Sequence, residues 1–263
     1  METATHLSLI HRDVGQGRPV VLLHAFPLSN TMWRRQVAAL KAEYRVITPN
    51  LGGFGGTAGS QDIASIDDMA DSVAALLDHL EVVEPVALCG LSMGGYVALA
   101  FARKYPARVG ALILADTRAE PDTAEGKSKR DEMIALASEQ GAPAVVEQML
   151  PKLVGATTQR ERPDVVEEIK SIVVAQSKEA VVGALRALRD RADARDWLAS
   201  IRVPTLVIVG SEDTLTTPAI AQALADGIPG ARLAIIEGAG HLSNLEQPQR
   251  FNEALLEFLL AAG

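Results

Sequence analysis

In Gly90-Leu91-Ser92-Met93-Gly94 a lone serine stands between glycines, after the apolar run "PVALCG" and before the helix-like stretch "MGGYVALAFARKY". That spacing reads as a strand, a one-residue turn and a helix, with the serine hydroxyl projecting beyond the sheet edge as a nucleophile. Side chains at positions 90 and 94 would collide across so tight a turn, which accounts for the glycines. The plainer alternative is a serine that caps a helix, and a cap needs no such glycines.

A serine hydroxyl is a poor nucleophile until a base takes its proton and a carboxylate orients that base. Of the five histidines, His6 and His11 lie near the N-terminus, His79 sits late on a helical pattern and His24 ends a strand pattern. His241, in "EGAGHLSNLEQP", follows the last apolar run in a loop whose glycines let it reach back over a sheet. The acid should also follow a strand. "VIVGSEDTLTTP" supplies Asp213 for this role, with Glu212 as the fallback.

The elements that must position these residues alternate along the chain. Apolar runs at Pro19–Ala25, "YRVITPN", "PVALCG", Ala111–Asp116, Pro204–Gly210 and "ARLAIIEG" read as strands. Helical patterns separate them: "NTMWRRQVAAL", Ser65–Leu80 with Ser65 as N-cap, Met93–Tyr105, a helix opening at Thr217 and Pro218, and one from about Pro248. Apolar strands separated by helices predict a mostly parallel sheet with helices on both faces. From Arg118 to Ala199 no strand pattern occurs, only amphipathic stripes: Val145, Val146, Met149, Leu150 and Leu153; Val165, Val166, Ile169, Ile172 and Val173; Val181, Val182, Leu185 and Leu188. The expected organisation is therefore a core of residues 1–117 and 200–263 with an all-helical cap at 118–199, roofing the carboxyl ends of the strands.

Composition narrows the remaining classes. The 263 residues are 48% hydrophobic with a net charge of −8, and no Lys/Arg cluster exceeds "KSKR", so neither nucleic acid nor a membrane is an expected partner. No basic start followed by an apolar run opens the chain, which makes the cytoplasm the expected compartment. The single cysteine, Cys89, reads as a buried hydrophobe. Two phosphate-loop patterns fail: "GKS" at Gly126–Ser128 has Pro121 where a P-loop needs glycine, and "GFGGTA" at Gly53–Ala58 leads into "GSQDIAS" instead of a helix. No metal-ligand spacing such as H-E-x-x-H or C-x-x-C occurs, so no cofactor and no metal are expected.

With "LLHAFPLS", "GLSMGGYVA", "GSEDTLTTP" and "GAGHLSNLEQP" in the order serine, acid, histidine, the chain resembles the α/β-hydrolase superfamily over nearly its whole length. The likeness is greatest to small carboxylesterases and to enol-lactonase-like members with a helical cap. The resemblance implies an oxyanion hole built from the backbone N–H groups of Phe26 and Met93. It also marks two departures: Ala25 where the family usually has glycine, and Asn50 where it usually has aspartate. Both bear on loop rigidity and substrate fit. Ser92 excludes the dehalogenases and epoxide hydrolases of this fold, which use aspartate there. The expected activity is hydrolysis of small, short-chain carboxylic esters through an acyl-enzyme, with an enol-lactonase or a perhydrolase as alternatives on the same triad. A ligand-binding receptor that keeps the fold and barely turns over is the rival from another class.

Overall fold

The computed structural model describes residues 9–56 and 65–262; His6 and the Thr57–Ala58 end of the "GFGGTA" stretch lie outside the described residues. The chain opens with β1 (His11–Val14), β2 (Pro19–Leu23), α1 (Arg34–Leu40), β3 (Arg45–Pro49) and α2 (Ile66–His79). It continues through β4 (Val86–Leu91), α3 (Met93–Lys104) and β5 (Val109–Ala115). Five helices follow without a strand between them: α4 (Ala124–Leu153), α5 (Ala156–Glu161), α6 (Pro163–Val174), α7 (Lys178–Arg189) and α8 (Arg195–Leu198). The chain then returns to the sheet with β6 (Thr205–Gly210), α9 (Pro218–Gly227), β7 (Arg232–Ile236), α10 (Ser243–Glu246) and α11 (Pro248–Ala261).

The seven strands form one sheet in the order β1-β3-β2-β4-β5-β6-β7, parallel except for β1 against β3. Strands β2, β4 and β6 are buried at every position, as expected of central strands covered on both faces. Their continuous apolar runs are what the sequence displays. Strand β1 carries no such run. Its His-Arg-Asp-Val is half exposed, and it pairs at the sheet edge with Arg45 Nη2 held 2.7 Å from Asp13 Oδ2.

Helix starts follow local chemistry. Ser65 Oγ accepts the Asp68 N–H at 3.1 Å, with Asp67 and Asp68 in the first turn, where the helix dipole favours negative charge. The "GKS" stretch lies in the opening turns of α4, not in a loop. Helix α4 is kinked at Gly141 (φ 73°), just before Pro143. The three predicted stripes of the insertion are buried at Val145, Val146, Leu153, Val165, Ile169, Ile172, Val173, Val181, Leu185 and Leu188, while Met149, Leu150, Val166 and Val182 are half buried.

The turn between β4 and α3 is the tightest point of the fold. A Cβ on Gly90 would lie 2.1 Å from the Gly94 carbonyl oxygen, and one on Gly94 would lie 2.2 Å from the Leu23 carbonyl oxygen. Both obstacles are backbone, so neither can swing aside. Gly90→Ala should therefore destabilise by at least about 1–3 kcal/mol and lower the midpoint of urea unfolding, whereas Gly183→Ala, which meets nothing within 4 Å, should leave the midpoint unchanged or raised. Equal midpoints for the two variants would contradict the close crossing.

Candidate active site

At the β4–α3 turn Ser92 adopts φ 53° and ψ −110°, a region a residue with a side chain rarely enters. Four bonds hold it there. Its N–H donates to Ala115 O at 2.9 Å, and its carbonyl accepts from Gly95 N at 2.9 Å, Tyr96 N at 3.2 Å and Thr117 Oγ1 at 2.9 Å. The result lifts the hydroxyl beyond the carboxyl end of the sheet. Ser92 therefore sits at the N-terminus of α3 without using its side chain as a cap.

The loops after β6 and β7 bring the other two residues to it. His241 Nε2 lies 2.9 Å from Ser92 Oγ, and His241 Nδ1 lies 2.8 Å from Asp213 Oδ2. Both His241 and Asp213 are buried. Asp213 accepts the backbone N–H groups of Leu215 at 2.7 Å and Thr216 at 2.9 Å, and the Thr216 hydroxyl donates to it as well. Burial opposes its ionisation, but the charge and hydrogen bond of His241 and the bonds from Thr216 overcome this and hold the carboxyl at about 2. An ionised Asp213 fixes the proton on His241 Nδ1, which frees Nε2 to accept the serine proton.

Glu212 is oriented away from this relay. Its carboxylate accepts the Thr157 N–H at 2.8 Å and the Thr157 hydroxyl, so it fastens the start of α5 to the loop after β6. His24 is likewise engaged elsewhere. Leu51 N donates to its Nε2 at 2.8 Å, so Nδ1 carries the proton and donates to Ala25 O at 3.0 Å. Burial, opposed only by that backbone bond, pushes its pKa down to about 4. His11 and His79 lie on β1 and α2, with His11 Nδ1 2.8 Å from Leu9 O.

Phe26 and Met93 flank the serine from the loop after β2 and from the first turn of α3. Among the described residues neither backbone N–H donates to a protein acceptor. The two departures are absorbed by packing. Ala25 is buried with its N–H 3.2 Å from Met32 Sδ, and Asn50 Oδ1 accepts the Asn30 N–H at 2.7 Å. Cys89 is buried, and burial together with the nearby charge of Asp116 raises its thiol pKa strongly.

Two residues that sequence reasoning passed over tie the site together. Asp116, fully buried at the end of β5 with φ 44°, accepts the Gly210 N–H at 2.9 Å and the Ser243 hydroxyl. It thereby links the loops that carry Asp213 and His241. Burial and the neighbouring Asp213 push its carboxyl well above the usual range, against the bonds from Ser243 and Gly210. Glu246, also buried, accepts Gly155 N at 2.8 Å and Leu242 N at 3.1 Å, joining the His241 loop to the helical insertion. In the sequence Asp116 shows only as the end of a strand pattern, and Glu246 only as part of the "GAGHLSNLEQP" loop.

A cavity of about 230 Å³ opens beside Ser92 and His241, walled by Phe26, Tyr96 and Thr216 from the core and by Met149, Leu153 and Leu188 from the insertion. Among the described residues no group of three or more His, Cys, Asp or Glu side chains is placed to hold a metal ion, and no helix is long and apolar enough to cross a membrane.

The seven-stranded sheet, the strained serine turn and the loops after β6 and β7 together define a hydrolase of the α/β class. A family model described as the alpha/beta hydrolase fold matches residues 18–248, and the chain belongs to that family. It is 31% identical over 255 residues to 3-oxoadipate enol-lactonase 2 of Acinetobacter baylyi, covering 96% of this chain and 93% of that protein. Among solved structures, a thermophilic esterase from Thermogutta terrifontis with malate bound is 41% identical with a TM-score of 0.94, covering 97% of this chain and 93% of its own. The enol-lactonase from Burkholderia xenovorans LB400 is 30% identical with a TM-score of 0.88, covering 96% of each chain.

Replacing Asp213 by asparagine should leave the unfolding midpoint nearly unchanged and lower kcat by as much as about 10⁴-fold, because the wrong imidazole tautomer would be favoured. Glu212→Gln should retain most of kcat. Steady-state rates on a p-nitrophenyl ester distinguish the two acids, and a large loss confined to Glu212→Gln would reverse the assignment.

Proposed function

We propose that this protein is a cofactor-independent serine hydrolase of short-chain carboxylic esters. The observation that carries the reading is the continuous relay from Ser92 Oγ through His241 to Asp213, at 2.9 and 2.8 Å, opening into a cavity of about 230 Å³. Similarity to an esterase and to enol-lactonases supports it.

In this reading Ser92 Oγ attacks the carbonyl carbon while His241 Nε2 takes its proton. Asp213 stabilises the imidazolium that forms. The N–H groups of Phe26 and Met93 bind the developing oxyanion, and each such donor contributes about 2.7–4 kcal/mol to the transition state. Met93 also opens α3, so the positive end of that helix faces the same point. Collapse of the intermediate breaks the bond to the alcohol, which leaves with the proton from His241. Water then enters, loses a proton to His241, and releases the acid by the same steps in reverse. A lactone is an internal ester and would be opened by the same chemistry. A perhydrolase would use the same residues, with peroxide in place of the water.

Residues 118–199 act in this reading as a cap over the core of 1–117 and 200–263. Glu212 with Thr157, Glu246 with Gly155, and Arg35 paired with Glu168 at 2.7 Å fasten that cap to the core. A fastened cap over a cavity of about 230 Å³ favours small soluble substrates over an oil surface.

A p-nitrophenyl ester series tests both parts of the reading. Many turnovers per protein and a kcat/KM maximum between about acetate and hexanoate are expected. Slow, stoichiometric release would favour the receptor reading instead. A steady rise to dodecanoate, or a jump on micelle formation, would contradict the fastened cap.

A further inference from the structure

Three guanidinium groups, Arg118, Arg130 and Arg191, line the cavity beside Ser92, with Asp122 as the accompanying carboxylate. The chain as a whole carries −8, so a local surplus of two positive charges at this cavity runs against the overall balance. The three arginines differ in what they are already bound to. Arg191 is buried and engaged through all three of its nitrogens: Nε and Nη2 donate to Glu120 O at 3.2 and 2.9 Å, and Nη1 donates to Leu188 O at 2.9 Å and lies 2.7 Å from Asp122 Oδ1. Its guanidinium also lies 4.5 Å from the centre of the Tyr96 ring. Arg191 builds the wall of the cavity.

Arg130 commits only Nε, to Asp122 Oδ2 at 3.0 Å, and Arg118 commits only Nη2, to the Leu215 carbonyl. A guanidinium carries five N–H donors. Among the described residues both side chains therefore keep donors that no protein group accepts, on a cavity that also holds the Ser92 hydroxyl. Asp122 is shared between Arg130 and Arg191 and answers for one of those charges. Arg118 has no acidic partner among the described residues.

We propose that Arg118 and Arg130 form a carboxylate-binding subsite, so that the preferred substrates are esters whose acyl part carries a free carboxylate, such as half-esters of short dicarboxylic acids. The proposal rests on the reading of Ser92 as the nucleophile towards esters. Forked N–H donors match a carboxylate in two places at once and fix its orientation. The acyl part is the half that stays on the enzyme while the alcohol departs and water enters. A carboxylate there remains bound through both halves of the reaction, whereas one on the alcohol would be lost at the first.

The test compares monomethyl adipate with its uncharged counterpart, in which the free carboxylate is replaced by a primary amide. The wild-type protein should favour the half-ester by about 10- to 100-fold in kcat/KM, the range of a charge-assisted hydrogen bond. In Arg118→Gln/Arg130→Gln that ratio should fall to near one, chiefly through KM, while Arg118→Lys and Arg130→Lys, which keep the charge but not the fork, should retain part of it. A wild-type ratio at or below one overturns the subsite, and turnover of the amide ester then leaves ester hydrolysis standing. A double variant that folds and keeps the wild-type ratio also overturns it. If neither compound is turned over, the esterase reading fails and calorimetry of monomethyl adipate on the wild-type protein decides the subsite alone. Binding that weakens steeply with added salt supports it, and no binding removes it.

Discussion

The close crossing of β4 and α3 is the constraint on which the rest of this structure depends. Gly94 lies against the Leu23 carbonyl and Gly90 against the Gly94 carbonyl, so the chain reverses from strand to helix within one residue. Ser92 is left at φ 53°, a conformation that costs on the order of 1–3 kcal/mol and persists only where its surroundings impose it. Here the Ala115 carbonyl, the Thr117 hydroxyl and the first turn of α3 impose it. The same geometry lifts the hydroxyl to the level of the loops after β6 and β7, at the N-terminus of α3.

The remaining site is a matter of keeping two loops in register with that turn. Asp116 does so from within the core: one oxygen takes the N–H of Gly210, at the root of the Asp213 loop, and the other takes the hydroxyl of Ser243, two residues past His241. Asp213 is then held by two backbone N–H groups and the Thr216 hydroxyl, leaving Oδ2 on the imidazole. Because these groups are buried, an unpaired one would cost about 1–3 kcal/mol. The arrangement is therefore stiff, as electrostatic preorganisation requires.

What was legible in the sequence was whatever is local. The serine turn shows itself because steric exclusion leaves glycine on either side of it, and the central strands show themselves because burial on both faces requires unbroken apolar runs. The loops carrying Asp213 and His241 were legible from their places after strands. Strand β1 was not, since its ordering comes from pairing with β3 and from Asp13 meeting Arg45, far along the chain. Glu212 and Asp213 are adjacent and chemically alike, and only the Thr157 contact distinguishes the tether from the relay. The tasks of Asp116 and Glu246 and the unmatched donors of Arg118 and Arg130 also depend on long-range approach. Sequence spacing carries no trace of it.

Trapping of the acyl-enzyme tests the central claim most directly. The protein is mixed with excess p-nitrophenyl butyrate, quenched in acid within the first turnovers, digested and mapped by mass spectrometry. A butyryl group on the peptide that holds Ser92, absent in Ser92→Ala together with all ester turnover, is the predicted result. An acyl group on another residue, or undiminished turnover by Ser92→Ala, would contradict the account.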